Sequence, residues 1–174
     1  MSKDLDWLNQ LSPVEATASL QQCCGSTRWA QQMAAARPYQ NLEELSKRAN
    51  DIWWSLDPRD WLEAFRSHPK IGERKAAQSV STQAREWSGQ EQAGVSSASQ
   101  QTIASLATLN RAYEEKFGFI FIVCATGKSP DEMLSALRER LDNDVDAELK
   151  IAAAEQNKIT ELRLKKLLAD SGKK

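Results

Sequence analysis

Proton chemistry near neutral pH narrows to one side chain in this sequence: His68, the only histidine, within Ser67-His68-Pro69-Lys70-Ile71-Gly72-Glu73. Imidazole is the side chain whose ordinary pKa lies closest to neutrality, which makes it the commonest general acid or base. Pro69 restricts His68 to extended backbone and so helps fix the direction of the ring. Two readings stand side by side: an acid/base group, or a residue at a helix C-terminus whose ring suits the negative end of the dipole. Ser88, Glu91 and Gln92 follow at i, i+3 and i+4 of a short helical pattern over Arg85–Gly94, so a hydroxyl, a carboxylate and an amide share one face. They form either a polar binding edge or a solvated helix face. Arg163 lies four residues after Ile159, beside Leu162 and four before Leu167, which puts its stem on or near an apolar stripe. Its guanidinium either snorkels past packed neighbours or is aimed at an anion inside a pocket.

The elements that must hold these groups announce their own starts. Ser12-Pro13-Val14-Glu15 and Ser129-Pro130-Asp131-Glu132 each place a capping serine, a proline at the first helical position and a glutamate three residues after the cap. Asn41-Leu42-Glu43-Glu44 is a similar start with asparagine as cap, and Asp57-Pro58 opens another helix. Leu42, Leu45, Ala49, Ile52 and Leu56 recur at three- and four-residue steps, as do Ile103, Leu106, Asn110, Tyr113 and Phe117, with Gly118 placed to end the second helix. Val145, Leu149, Ala152, Ile159 and Leu162 trace a long last helix. These signals predict an all-α bundle of about seven to nine helices in one domain over residues 1–174.

Phe119–Thr126 is the exception, a short β-branched and aromatic run bounded by Gly118 and Gly127. No second strand candidate exists to pair with it. An extended segment buried without a sheet must satisfy its backbone groups with side chains, water or a ligand, which makes 119–126 a candidate pocket wall. The start of a buried helix is the other reading. Residues 76–99 are rich in Gln, Ser and Ala and predict a partly mobile loop.

Composition excludes several classes. With 23 basic against 24 acidic residues and no basic block, nothing indicates a nucleic-acid footprint. No apolar run approaches the roughly 20 residues of a membrane span. Met1-Ser2-Lys3-Asp4-Leu5 lacks a signal-peptide pattern, and Ser171-Gly172-Lys173-Lys174 is not the Ser-Lys-Leu peroxisomal address. Cys23, Cys24 and Cys124 make neither a disulfide framework nor a metal-ligand spacing, so the expectation is reduced thiols in a cytoplasmic, metal-free protein.

Taken together, these segments resemble a family. Ala64-Phe65-Arg66-Ser67-His68-Pro69-Lys70-Ile71-Gly72 is similar to the His-Pro-x-(Ile/Leu)-Gly signature of the 2-oxo-4-hydroxy-4-carboxy-5-ureidoimidazoline (OHCU) decarboxylases. Glu86-Trp87-Ser88-Gly89-Gln90-Glu91-Gln92, then Tyr113-Glu114-Glu115-Lys116-Phe117-Gly118-Phe119-Ile120-Phe121, then Arg163-Leu164 follow in that family's order. Arg28-Trp29-Ala30 and Arg37-Pro38-Tyr39 extend the likeness, although Tyr39 stands where the family carries phenylalanine. The resemblance spans Leu8 to Leu168 and implies an all-α, cofactor-independent enzyme of urate catabolism, assembled as a homodimer. Its small-molecule substrate would be the carboxylated ureidoimidazoline, and its products (S)-allantoin and carbon dioxide.

On that footing His68 is the expected general acid/base, worth about 10²–10⁴ in rate. Glu91 is the second ionisable group and Arg163 the anchor for an anionic or carbonyl oxygen. Pro69, Ser88 and Gln92 are expected at the substrate, along with the backbone of Phe119, Ile120, Phe121 and Ile122, which faces an amide-rich ligand. The competing expectation is a non-catalytic all-α module that merely holds a ureide or purine-like compound.

Overall fold

In the computed structural model, the chain is described at residues 3–69, 86–87 and 100–173. Eight helices of eight residues or more occur there: α1 Lys3–Gln10, α2 Pro13–Gln21, α3 Thr27–Ala35, α4 Leu42–Ser55, α5 Pro58–Arg66, α6 Gln100–Phe117, α7 Pro130–Leu141 and α8 Val145–Ser171. No strand occurs among the described residues. The all-α expectation therefore holds, and so do the starts read from sequence. Ser12 and Ser129 each close a reciprocal capping box with Glu15 and Glu132. The Asn41 side chain accepts from the Glu44 N–H at 2.8 Å, which satisfies one of the unpaired donors of the first turn. Gly118 ends α6 at φ +81°, its N–H bonded to the Glu114 carbonyl at 2.8 Å, the left-handed stop that glycine adopts without steric cost.

Two compact units share these elements, Met1–Ala64 with Asn157–Lys174, and Phe65–Gln156. In the first, α2 packs on α3 and α3 on α4. Its core holds Leu5, Leu8, Leu20, Trp29, Met33, Tyr39, Leu45 and Trp53, each 2% exposed or less. The buried indoles find acceptors: Trp29 Nε1 donates to the Ala49 carbonyl at 3.3 Å and Trp61 Nε1 to that of Trp53 at 2.9 Å. Trp54, 42% exposed, sets its ring edge-on against Trp61. Leu42 departs from the apolar stripe of α4, for it sits in the first turn and is 43% exposed.

In the second unit α6 packs on α7, and an aromatic cluster fills the space around the segment that follows α6. Tyr113 meets Phe117, Phe119 and Phe121 at ring centroid distances of 4.5, 5.9 and 5.4 Å. Residues 119–125 are neither helix nor strand, and Phe119 and 121–125 are buried. The backbone groups of this segment meet side chains, as a buried run without a sheet requires. The Ile122 carbonyl accepts from Arg140 Nη1 at 2.6 Å, and the Cys124 N–H donates to Glu155 Oε1 at 3.4 Å.

The last helix differs from its hydropathy pattern. Val145 is 47% exposed, while Glu148, Ala152, Ala153, Glu155, Gln156, Ile159, Thr160, Arg163, Leu164, Leu167 and Leu168 are buried. Its inward stripe is therefore offset from the one that apolar spacing draws, because polar residues share the inner face and each must be bonded there.

Candidate active site

His68 lies two residues past the end of α5, half-buried, with its N–H donating to the Phe65 carbonyl at 3.1 Å. The chain leaves the helix here because Pro69 follows, and a residue before proline disfavours helical backbone. Phe65, fully buried one turn earlier, sets its ring 5.6 Å from that of Phe119. That contact brings the end of α5 together with the start of the 119–125 segment. From α8, Gln156 reaches His68: Oε1 lies 2.6 Å from Nε2. Pro69 is half-buried, as is Ile120, whereas Phe119, Phe121 and Ile122 are buried.

A second buried network bonds the segment. Glu148 Oε1 accepts from Arg140 Nε and from Tyr113 Oη, each at 2.5 Å. Glu148 Oε2 accepts from Asn143 Nδ2 at 3.1 Å. The Arg140 guanidinium lies over the Phe121 ring at 4.5 Å while bonding the Ile122 carbonyl. One arginine thus ties α7, α8 and the non-helical segment through charge-assisted bonds and a ring face. Burial, aided by the hydrogen bond to Glu148, pushes the Tyr113 hydroxyl far above its ordinary pKa, so it acts here as a donor and not as an acid.

Arg163 belongs to the other unit and is 3% exposed. A guanidinium so enclosed is not snorkelling to water. Its Nη1 donates to the Gln22 carbonyl at 3.4 Å, at the C-terminal cap of α2. The thiols of Cys23 and Cys24 are beside it, both fully buried. Burial raises both thiol pKa values, that of Cys24 to about 12, and the Arg163 charge opposes this without reversing it. These thiols stay protonated and inert.

Ser88, Glu91 and Gln92 lie outside the described residues, as does most of the 76–99 stretch; Glu86 and Trp87 are helical, and Trp87 is buried. Among the described residues no three His, Cys, Asp or Glu side chains converge as a metal cage. A cavity of about 460 Å³ in the first unit, between Leu5, Leu42, Lys165 and Leu168, is lined by none of the candidate catalytic or substrate-binding residues.

Sequence reasoning did not single out Gln156, Arg140 or Glu148. For Glu148 and Gln156 the one signal was spacing: with Arg163 they stand at steps of eight and seven in the last helix, which is one face of an α-helix, and no such signal marks Arg140 in α7. An apolar-stripe search passes over them because they are polar.

The OHCU decarboxylase family model matches residues 9–165. The chain is 43% identical over 152 residues to a uric acid degradation bifunctional protein of Arabidopsis thaliana, a match covering 87% of this chain and 47% of that one. It therefore spans about half the length of that relative. A 2-oxo-4-hydroxy-4-carboxy-5-ureidoimidazoline decarboxylase of Mus musculus is 34% identical over 76% of this chain and 74% of its own. Among solved structures, an OHCU decarboxylase crystallised in the presence of (S)-allantoin superposes with a TM-score of 0.73 at 41% identity, covering 86% of this chain and 96% of that one. A match of that extent along the chain, joined by relatives above 30% identity over most of their own length, places it in the OHCU decarboxylase family.

Proposed function

We propose that this chain decarboxylates 2-oxo-4-hydroxy-4-carboxy-5-ureidoimidazoline to (S)-allantoin and carbon dioxide in urate degradation, as a carboxy-lyase without a cofactor. The observation that carries this reading is the 41% identity, over 86% of the chain, to the OHCU decarboxylase crystallised with (S)-allantoin present.

Cleaving the bond to the carboxyl carbon releases carbon dioxide and leaves its electron pair in the ring until a proton arrives. In solution either face accepts that proton, and allantoin forms as a racemate. The catalyst must hold the developing charge and admit a proton from one side. His68 acts as general acid/base at the ring hydroxyl and carboxylate, and Glu91 is the second titrating group. Arg163 holds an anionic or carbonyl oxygen through its planar fork. Pro69, Ser88 and Gln92 contact substrate, as does the backbone of residues 119–122. That backbone retains capacity even where it is bonded, since the Ile122 carbonyl has a second lone pair beyond the one Arg140 takes.

The chain works as one domain, a reading supported by the single family model that runs over residues 9–165. It acts as a homodimer in the cytoplasm, a setting supported by three buried, unbridged cysteines. No helix among the described residues is long and apolar enough to cross a membrane.

The test generates the substrate from urate by oxidation and hydrolysis of 5-hydroxyisourate, adds this protein and follows optical activity. Faster appearance of (S)-allantoin is expected, and His68→Asn is expected to abolish the acceleration with the fold intact. Racemic product at an unchanged rate would leave a ureide-binding module in place of an enzyme.

A further inference from the structure

The inner face of α8 carries a polar side chain that these roles leave unused. Gln156 is fully buried, flanked on the same face by buried Ala152, Ala153, Ile159 and Thr160. A buried carboxamide is costly unless bonded, and its Oε1 spends a bond on the one histidine of the chain, 2.6 Å from Nε2. A carboxamide oxygen only accepts, so this contact is a hydrogen bond in the tautomer that carries the proton on Nε2. In neutral imidazole the lone pair then resides on Nδ1. The two ends of the contact differ in rigidity. Gln156 is in mid-helix, whereas His68 follows the last turn of α5 and is half-buried. The helix can therefore hold the ring.

We propose that Gln156 is the positioning residue for His68, its carboxamide oxygen fixing the ring with Nε2 protonated so that Nδ1 is the nitrogen that exchanges protons with substrate. This rests on the reading of His68 as the acid/base group, and the experiment separates the two. Because His68 is the sole histidine, its imidazole nitrogens and protons can be followed by NMR in ¹⁵N-labelled, tag-free protein without ambiguity. The wild type should show an unprotonated Nδ1 and an Nε2 proton protected from exchange with water. A wild-type ring lacking that protected proton overturns the proposal with no variant needed.

Gln156→Met keeps the volume and removes the acceptor. It should lose the protected proton and lower kcat about 10- to 100-fold, the scale expected when a reacting group is misplaced, with KM within about threefold. Gln156→Glu keeps an oxygen at the same reach and should retain the protected proton. Protection that survives in Gln156→Met, or wild-type kcat in that variant, overturns the positioning role. Full turnover in His68→Asn instead removes the acid/base reading, while the wild-type spectrum still decides whether the amide holds the ring.

Discussion

Arg140 and Glu148 form a buried ion pair, Nε to Oε1 at 2.5 Å, with the Glu148 side chain fully enclosed and that of Arg140 10% exposed. Enclosed charges are costly to desolvate, and what offsets the cost here is the number of further bonds each makes. Glu148 also accepts from Tyr113 and Asn143, and Arg140 also donates to the Ile122 carbonyl. The pair thus holds the non-helical segment between α6 and α7 in place.

Removing one partner leaves the other charged and unpaired in the interior. Arg140→Met should therefore destabilise the protein by about 3–5 kcal/mol in urea unfolding. Tyr113→Phe, which deletes only one hydroxyl, should cost about 1–2 kcal/mol. A loss below about 1 kcal/mol in Arg140→Met, the range of exposed pairs, would mean that the network does not support the segment.

Alkaline pH should weaken the fold through acids whose pKa is raised by burial. Cys23, Cys24, Tyr39 and Tyr113 all titrate above their ordinary values in the native state, with desolvation the largest cause in each. A raised native pKa gives stability that is fully present below the unfolded pKa and lost as pH rises through the native one. For Cys24 the window runs from 9.0 to about 12, with a slope of about 1.4 kcal/mol per pH unit for each such group. Urea midpoints measured between pH 7 and pH 10 should fall once pH passes about 9, and the fall should be shallower in Cys23→Ala/Cys24→Ala. Equal slopes in the double variant and the wild type would show that the thiols do not contribute.

What the sequence makes legible follows from where its signals are local. Capping boxes at Ser12 and Ser129 and the stop at Gly118 are set by a few neighbouring residues, and each stands where its motif puts it. The extended run expected over Phe119–Thr126 is legible as far as Ala125, because an aromatic, β-branched run between glycines had no strand to pair with, whereas Thr126 is an exposed turn residue. The inner face of α8 is not legible in the same way. Glu148, Glu155, Gln156 and Arg163 are buried there, and their partners, among them Tyr113, His68 and the Gln22 carbonyl, are 35, 88 and 141 residues away in the chain. Hydropathy reads such side chains as solvent-facing, and only their long-range bonds make burial tolerable. For the site, His68 and its motif were readable because histidine is unique in the chain, whereas the residue that holds its ring was not.

Arg163→Lys keeps the charge and loses the planar fork. If Arg163 grips a substrate oxygen, kcat/KM should fall by about 10- to 100-fold, the equivalent of one charge-assisted bond. Arg163 is also bonded to the Gln22 carbonyl, so the urea midpoint of the variant must be measured beside its kinetics. A lowered midpoint with undiminished kcat/KM would assign Arg163 to the packing of α2 against α8 and leave the anion anchor without a residue.

Glu91 is expected to separate rate from stereochemistry. With one histidine in the chain, a carboxylate is the natural second group for a reaction that must both hold charge and deliver a proton to one face. Glu91→Gln is nearly isosteric and cannot titrate, so it removes proton exchange and leaves shape and hydrogen bonding largely in place. Turnover should slow by about 10²-fold or more. Product formed in the variant should also carry a smaller (S) excess, since the unguarded face of the intermediate then competes for solvent protons. Chiral analysis of the allantoin, corrected for the spontaneous reaction, reads both effects in one experiment. A slow variant with full (S) excess would assign Glu91 to charge stabilisation alone and leave proton delivery to His68. Wild-type rate together with wild-type excess would return Glu91 to a solvated helix face.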